Sequence, residues 1–295
     1  MKRNGEFLVL ISIVAFSISD MFDRVAVIDT NAMMATMIKC SLILVFISLV
    51  ALREGLRFEG YRYFIASGLI SEIIGSASFM YALKSGVSAA LPLIQAQVMF
   101  TDIFSYVLIH ERISKKRFFG IIVLFIGLAI ITYSRVYAAP SENPLYSIIF
   151  ALIASAGWGS GAVIWKMGLD RGASSNSGLL VHYATAVSVL FVILLIFKRD
   201  AFYVSMKDVS NLAIAALLDG VLGMLALINS LRYISATRAQ ALKSTYPIAA
   251  CILAYFIFDE YITLAVLVGM AIATAGVVIF ELSRNSIRDS PSDPA

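Results

Sequence analysis

The sequence predicts an all-α integral membrane protein with ten transmembrane helices, arranged as two inverted five-helix repeats. Three observations predict this fold. Hydrophobic residues make up 60% of the 295 residues and charged residues only 14%, whereas about 25% are charged in a typical soluble domain. The apolar residues form runs of about 20, the length that a helix needs to cross a bilayer. Motifs of the first half also recur in the second half.

The apolar runs are predicted to be helices because lipid offers backbone polar groups no hydrogen-bond partner. Each group must therefore be paired within the protein, which restricts spanning structures to helices and closed barrels. Barrel strands alternate apolar and polar residues, and these runs do not alternate. The first run is interpreted as a retained helix, since it is long and lacks a small-residue cleavage site. The predicted spans are 7–28, 32–52, 63–83, 88–110, 118–134, 145–165, 177–197, 209–231, 237–258 and 262–282.

The connections between the spans are short. The longest, 135–144, contains two prolines and divides the chain near its middle. We therefore predict a first five-helix repeat over residues 1–139 and a second over 140–284. Residues 285–295 are polar and include two prolines, a composition typical of a disordered tail.

Basic residues in the short loops predict the orientation, because loops rich in Lys and Arg stay in the cytoplasm. With both termini in the cytoplasm, 15 of the 23 Lys and Arg residues lie on the cytoplasmic side and five outside. The remaining three, Arg24, Lys39 and Lys243, lie within helices. The sequence shows no organelle-targeting prefix, which favours the plasma membrane of a prokaryote. The net charge of +4 does not indicate nucleic-acid binding, since the basic residues lie mostly in these loops.

An internal repeat connects the two halves. A glutamate at a helix end is followed nine residues later by a glycine, and seven residues after that by another. This pattern occurs at a constant offset of 149, as Glu111, Gly120 and Gly127 and as Glu260, Gly269 and Gly276. Consecutive repeats of five helices enter the membrane from opposite sides. Inverted repeats of this kind are typical of secondary transporters, which bind substrate near the midplane between the repeats.

Acidic residues in the middle of two helices are the first candidates for substrate binding. Glu72 lies halfway along the third span and Asp219 halfway along the eighth, and they are near-equivalents in the repeat, at offset 147. A charged residue at mid-bilayer costs about 2.5–3.5 kcal/mol on insertion scales, so such residues are rarely without a function. Glu72 and Asp219 can bind a cationic group or carry a proton. The structural alternative is a protonated carboxyl group bonded to a neighbouring helix.

Further candidates lie in the fourth, sixth and ninth spans. Asp102 follows Gln95 by seven residues on one helix stripe, and Gln95 is matched by the region around Lys243 and Tyr246. Lys243 suits a substrate carboxylate or phosphate, although its side chain can equally extend towards the membrane surface. Trp158 can stack on an aromatic or cationic group or serve in packing.

Five residues nearer the helix ends are candidates for gating or coupling. Asp20 and Arg24 are four residues apart and can form an ion pair on one helix face, with Asp23 beside them. Lys39 and His182 are related by the repeat, at offset 143. For both, a role in packing or at the membrane surface is the alternative. Glu111 and Glu260, at helix ends, are predicted to cap or gate.

The repeated motifs resemble the EamA-type family of the drug/metabolite transporter superfamily. The resemblance also covers the paired helix ends Ala82-Leu83 and Ser230-Leu231 and the segment Trp158-Gly159-Ser160. It departs at Phe16-Ser-Ile-Ser, where the family commonly has a Trp-Gly segment. The resemblance implies ten helices, cytoplasmic termini and a central cavity lined chiefly by helices 1, 3, 4, 6, 8 and 9. It also implies transport of amino acids, related metabolites or drugs, often outward and often coupled to protons.

The function predicted from the residues and the resemblance is secondary transport of a small polar metabolite, such as an amino acid, by alternating access. Coupling to protons is left open. The alternatives are an exporter of cationic drugs or amines, a passive channel and a membrane-embedded lipid enzyme. No nucleotide-binding loop, nucleophile motif, metal-ligand spacing or cofactor motif occurs in the sequence. We expect a lipid bilayer and a small-molecule substrate as partners, no nucleic acid, and either a monomer or a homodimer.

Overall fold

A computed structural model describes residues 2–54, 59–110, 115–137, 144–172, 174–230, 233, 234, 239, 242–260 and 262–288. Every regular element within these ranges is helical. The elements are α1 (Lys2–Asp29), α2 (Ala32–Glu54), α3 (Tyr61–Ser67), π1 (Gly68–Ser76), α4 (Ala77–Ser85), α5 (Val87–Ile94), α6 (Gln97–Ile109), α7 (Lys115–Tyr137), α8 (Pro144–Leu169), α9 (Ser175–Phe197), α10 (Met206–Ala216), π2 (Leu217–Gly223), α11 (Met224–Ser230), α12 (Tyr246–Phe258) and α13 (Leu264–Arg288), with a short 3₁₀ turn at Arg199–Phe202.

Eight helical stretches of the described residues are long and apolar enough to cross a membrane. They coincide with the first eight predicted spans. At the ninth and tenth positions the structure describes shorter apolar helices, Tyr246–Phe258 and Leu264–Phe280. The chain is therefore an all-helical multi-pass membrane protein, and the count of ten spans stays a prediction. The predicted boundary between the repeats, at residues 139 and 140, and residues 289–295 of the predicted tail lie outside the described residues.

The main contacts between helices follow the repeat. Among these contacts, where a helix of the first half contacts helices of the second half, the equivalent helix of the second half contacts the equivalent helices of the first. Helix α1 contacts α10, π2 and α11 as well as α12, while α8 contacts the corresponding α3, π1 and α4 as well as α5 and α6. Helix α2 packs against α9, and α7 against α13. An inverted repeat requires such reciprocal contacts, so this pattern supports that prediction without establishing it.

Helices α7 and α13 meet through glycines that let the two backbones touch. A Cβ atom on Gly127 would lie 2.4 Å from the Ala273 backbone nitrogen and 2.6 Å from the Gly269 oxygen. Gly120 meets Gly276 in the same way. Residue numbers rise along one helix as they fall along the other, so the pair is antiparallel. Close backbone approach through small residues is a common source of helix association in lipid.

We expect Gly127→Ala to destabilise the protein strongly, because neighbouring backbone atoms cannot move aside as a side chain can. The loss should reach the upper end of the about 1–3 kcal/mol typical of overpacking. Gly220→Ala is the matched control, since the nearest atom to its Cβ would be a side-chain carbon of Ile43 at 3.4 Å. Thermal unfolding in detergent, followed by Trp fluorescence, measures both variants. Equal melting temperatures for the two would contradict the packing argument.

Four interruptions of regular α-helix lie at positions related by the repeat. The π-helical segments π1 and π2 contain Glu72 and Asp219 respectively. Helix α5 ends next to Gln95, and the helical turn before α12 is interrupted at Ser244. π-Helical segments occur frequently at functional sites. The two halves therefore depart from standard α-helix at equivalent positions.

Candidate substrate cavity

A cavity of about 610 Å³ lies between the two halves of the bundle. Nine of the ten predicted spans contribute at least one lining residue, including the six spans that the family resemblance implies. The fifth, 118–134, contributes none, although Arg117 directly before it lines the cavity. The cavity extends from Asp20 in α1 and Lys39 in α2 to Arg117 in the first turn of α7 and the exposed Lys166 in the last turn of α8. It thus reaches the face of the bundle at which α1 begins, which we call the N-terminal face. Its volume suits a small organic molecule.

The seven residues predicted to bind substrate all line this one cavity: Glu72, Gln95, Asp102, Trp158, Asp219, Lys243 and Tyr246. Of the five predicted gating or coupling residues, Asp20 and Lys39 also line it. Asp23, Arg24 and His182 do not line it. The structure shows which of these residues line the cavity. Their roles in binding, gating or coupling stay predictions.

Lys39 is the centre of a buried ion cluster. Its Nζ atom donates to Asp23 Oδ2 at 2.6 Å and lies 3.1 Å from Asp219 Oδ2. The Asp23 side chain is completely buried, whereas the Asp219 side chain is 41% exposed and faces the cavity. Carboxylates on α1 and π2 therefore hold the Lys39 ammonium from both sides. This arrangement accounts for a lysine deep in an apolar helix, since a buried charge requires a partner.

Two charged groups on the cavity wall are left without an ionic partner. Lys243 makes no hydrogen bond or ion pair with any described residue, and its Nζ lies 4.8 Å from the centre of the Phe16 ring. Asp20 Oδ2 is buried and has no hydrogen-bond partner among the described residues. Asp219 and Asp20 both act electrostatically on Lys243. The cavity thus presents an unpaired ammonium and an unpaired carboxylate oxygen together.

Glu72 and His182 form a second pair at the corresponding level of the other half. His182 Nε2 lies 3.0 Å from Glu72 Oε1, and the Cys40 thiol donates to Glu72 Oε2 at 3.4 Å. Trp165 packs edge-on against the His182 ring at 5.4 Å between centroids. Glu72 lines the cavity, while His182 lies behind it with 6% of its surface exposed. The two residues were predicted separately, and only the fold brings them into contact.

Asp102 is engaged by a basic residue that the sequence assigns to a cytoplasmic loop. The Arg117 guanidinium, at the start of α7, donates to Asp102 Oδ1 and lies 5.0 Å from the centre of the Phe280 ring. Both charged side chains are largely buried. The pair lies where the cavity approaches the N-terminal face.

Polar contacts fix the interrupted segments around the cavity. Gln95 Nε2 donates to the Ser244 carbonyl oxygen at 2.6 Å, which joins the two helix interruptions across the repeat. Ser17 donates to the Tyr246 carbonyl. Trp158 Nε1 donates to Ser76 Oγ at 3.1 Å, and its ring packs against Phe79. These contacts hold the predicted residues in position.

The opposite end of the bundle is closed. The Arg24 guanidinium donates to the Lys84 carbonyl, and Glu260 Oε1 accepts a hydrogen bond from the Val87 backbone N–H at 2.8 Å, capping α5. Leu83 and Val87 are completely buried there. The predicted Asp20–Arg24 ion pair is not formed, because Arg24 is directed towards α4 and Asp20 towards the cavity. Glu260 acts as a cap, as predicted, whereas Glu111 lies outside the described residues.

Sequence reasoning missed several lining residues, chiefly Phe16, Cys40, Arg117, Tyr183 and Phe280. Arg117 carried a usable signal, since it follows the buried Asp102 by 15 residues across a single helix turnaround. The aromatic and thiol side chains carried none, because such residues are common on every face of a membrane helix.

Comparisons with known proteins agree with this architecture. Residues 3–133 and 145–282 match the EamA-like transporter family. An uncharacterised transporter of Clostridium kluyveri is 24% identical over 233 residues, which is 77% of this chain and 74% of that protein. Protein LicB of Haemophilus influenzae is 24% identical over 250 residues, 81% of this chain and 82% of that protein.

A solved crystal structure of a protein superposes with a TM-score of 0.63 at 14% identity, covering 95% of this chain and 98% of the other. That likeness concerns the fold alone. The family match extends over nearly all of the sequence, in two segments that correspond to the two halves. The chain belongs to the EamA-like transporter family, within the drug/metabolite transporter superfamily.

Proposed function

We propose that the protein is a secondary transporter for a small polar metabolite that carries both a positive and a negative charge, such as an amino acid. The cavity is the proposed binding site. The proposal goes beyond family membership by naming the charge type of the substrate. Its basis is the complement of charged groups on the cavity wall.

The observation that carries the proposal is a basic and an acidic side chain on one cavity wall that form no direct ion pair with any described residue. Lys243 and Asp20 line the same cavity, and neither forms a direct ion pair within the part of the chain that the structure describes. In an apolar setting an uncompensated charge is costly, so a ligand that pairs with both groups gains considerable stabilisation. An anionic group at Lys243 and a cationic group at Asp20 and the exposed Asp219 oxygen would meet this requirement.

Alternating access is the proposed mechanism. The cavity reaches the N-terminal face and is closed at the other end by the Arg24–Lys84 and Glu260–Val87 contacts. The reciprocal helix pairing supports a second state in which the halves exchange conformations. With the predicted orientation in a prokaryotic plasma membrane, the present state opens to the cytoplasm. Opening of the other side would then require these closing contacts to break and the Asp102–Arg117 end to close.

The second candidate substrate is a cationic drug or amine without an anionic group. The acidic lining residues Asp20, Glu72 and Asp219 favour it, as do the aromatic rings of Phe16 and Trp158, which can contact a cation. Lys243 argues against it, because an ammonium with no ionic partner repels a cation. The contribution of Lys243 to binding therefore distinguishes a zwitterionic substrate from a cationic one.

Counterflow in proteoliposomes tests the proposed function. The probes are radiolabelled amino acids and amines, each exchanged against the same unlabelled compound inside the vesicles. We expect saturable exchange of a compound with both charges, inhibited by other zwitterions and weakly by simple amines. If only amines are exchanged, the substrate is a cation and not a zwitterion. Flux that rises linearly with concentration, without exchange, would indicate a channel and overturn both.

A further inference from the structure

We propose that the Glu72–His182 pair is the proton-binding site that couples transport to a pH gradient. This inference rests on the proposed transport function and deepens it, because it assigns the coupling ion and its binding residues. The site is separate from Lys243 and Asp20, the proposed substrate contacts. Histidine is the side chain whose charge changes between about pH 5 and 8.

The geometry gives the pair a route to protons. Glu72 lies on the cavity wall, and its Oε1 atom is 3.0 Å from Nε2 of the buried His182. A proton arriving from the cavity therefore reaches the carboxylate first and the imidazole second. One hydrogen bond joins the two groups, so they take up an additional proton as a unit. Uptake changes the net charge of the pair from −1 to zero.

The second ring nitrogen of His182 connects proton uptake to conformation. Nδ1 is buried and has no hydrogen-bond partner among the described residues. In the neutral ring with Nε2–H donated to Glu72, Nδ1 is an unprotonated acceptor. In the charged ring, Nδ1 becomes a donor, and leaving a buried donor unpaired is costly. The imidazolium is thus disfavoured in the present state and favoured in any state that provides Nδ1 with an acceptor or water.

Local backbone structure permits such a change. Glu72 lies within π1, and Gly68 at the start of π1 packs directly on the backbone of His182, where a Cβ would lie 2.4 Å from the carbonyl oxygen. π-Helix is rare and occurs frequently at functional sites. Movement of π1 relative to α9 would alter the surroundings of both members of the pair together.

The other half of the protein contains a non-titrating counterpart of this pair. Lys39 and His182 are repeat-related, and each contacts the acidic residue of the opposite π segment: Lys39 contacts Asp219, and His182 contacts Glu72. Lys39 is also held by Asp23. A lysine with two carboxylate partners keeps its charge near neutral pH. Histidine is the side chain that ordinarily gains or loses its charge in that range. Of the two related pairs, only Glu72–His182 is thus suited to exchange a proton.

The neighbours of the pair do not compete for this role. The titratable groups that face it are the Cys40 thiol of α2 and the Tyr183 phenol of α9, and α8 contributes the neutral Trp165. Thiols and phenols ordinarily titrate near about pH 8.5 and 10, so both stay neutral around pH 7. Lys39 acts electrostatically on Cys40, and Asp219 on Tyr183, from further away.

Transport assays with separate readouts test the inference. Glu72→Gln and His182→Gln are compared with Thr185→Val, a control one turn along α9 whose hydroxyl bonds only within its own helix. We expect accumulation driven by a pH gradient to fall at least about tenfold in the first two variants. In His182→Gln, counterflow without a gradient, which needs no net proton movement, should persist within about twofold, because His182 does not line the cavity. Thr185→Val should retain both activities.

The outcomes separate the inference from the proposed function. Absence of counterflow in the unmodified protein with every compound would overturn the transport function itself. Counterflow that persists in the unmodified protein without any response to a pH gradient would leave transport intact and overturn the coupling site. A Glu72→Gln or His182→Gln variant that still accumulates substrate along the gradient, or a His182→Gln variant that loses counterflow and accumulation together, would overturn it as well.

A measurement without substrate provides a second test. The chain has two histidines, so in the His110→Asn variant the ¹⁵N signals of labelled histidine report His182 alone. Asn is chosen because position 110 has a left-handed backbone, with φ 55°, which Asn tolerates. We expect the ring signals to change across the range in which histidine ordinarily changes charge, about pH 5 to 8, and the response to differ in Glu72→Gln. An unchanged ring signal across that range would overturn the inference.

Discussion

Lys243→Gln is expected to weaken substrate binding more than any other single change in the cavity. Gln keeps most of the length of the side chain but cannot compensate the charge of an anionic group. Truncating one member of a buried charge pair costs about 2 kcal/mol or more, which corresponds to about a 30-fold or larger rise in Kd. Thermal stabilisation by the substrate found in counterflow, titrated with purified protein, measures the change.

Lys84→Gln is the matched control for Lys243→Gln. Lys84 is another lysine at a helix end, but its side chain is exposed at the closed end of the bundle, outside the cavity. We expect its Kd to equal that of the unmodified protein. If Lys243→Gln binds with unchanged Kd, or binds amines more tightly, the substrate carries no anionic group. The cationic drug or amine would then become the better description.

Lys39→Met should cause the largest loss of stability. The change removes the ammonium held by Asp23 and Asp219 and leaves the completely buried Asp23 carboxylate without a counter-charge. Breaking a buried ion pair by removing one partner costs about 3–5 kcal/mol. Met fills a similar volume, so a packing defect adds little. Unfolding in mixed detergent micelles with increasing denaturing detergent reports the free energy of unfolding.

A double variant separates the charge effect from other causes. Lys39→Met combined with Asp23→Leu removes both charges, and replacing a buried ion pair by apolar residues is often neutral or stabilising. We expect the double variant to recover most of the stability lost in Lys39→Met, which gives a large coupling energy in the cycle. Lys84→Met serves as the control for a lysine outside the cluster. Additive losses in the double variant would mean that Lys39 contributes through packing instead of pairing with Asp23.

The sequence by itself predicted the helical membrane class, the positions of the spans and the level at which charged residues cluster. These features follow from local patterns, since an apolar run of about 20 residues and a charge within it are visible without knowledge of the neighbours. The repeat motifs placed Glu72 and Asp219 at matching levels, and both prove to lie in π-helical segments beside one cavity.

Only the tertiary structure decided which charges pair. Asp20 and Arg24, four residues apart, do not pair, because Arg24 reaches the Lys84 carbonyl on another helix. Asp23 pairs with Lys39 instead, and Glu72 with His182, 110 residues away. The physical reason is the short range of these contacts: an ion pair or hydrogen bond requires atoms within about 3–4 Å. Helix packing sets those distances, and they cannot be predicted from the hydropathy of the sequence.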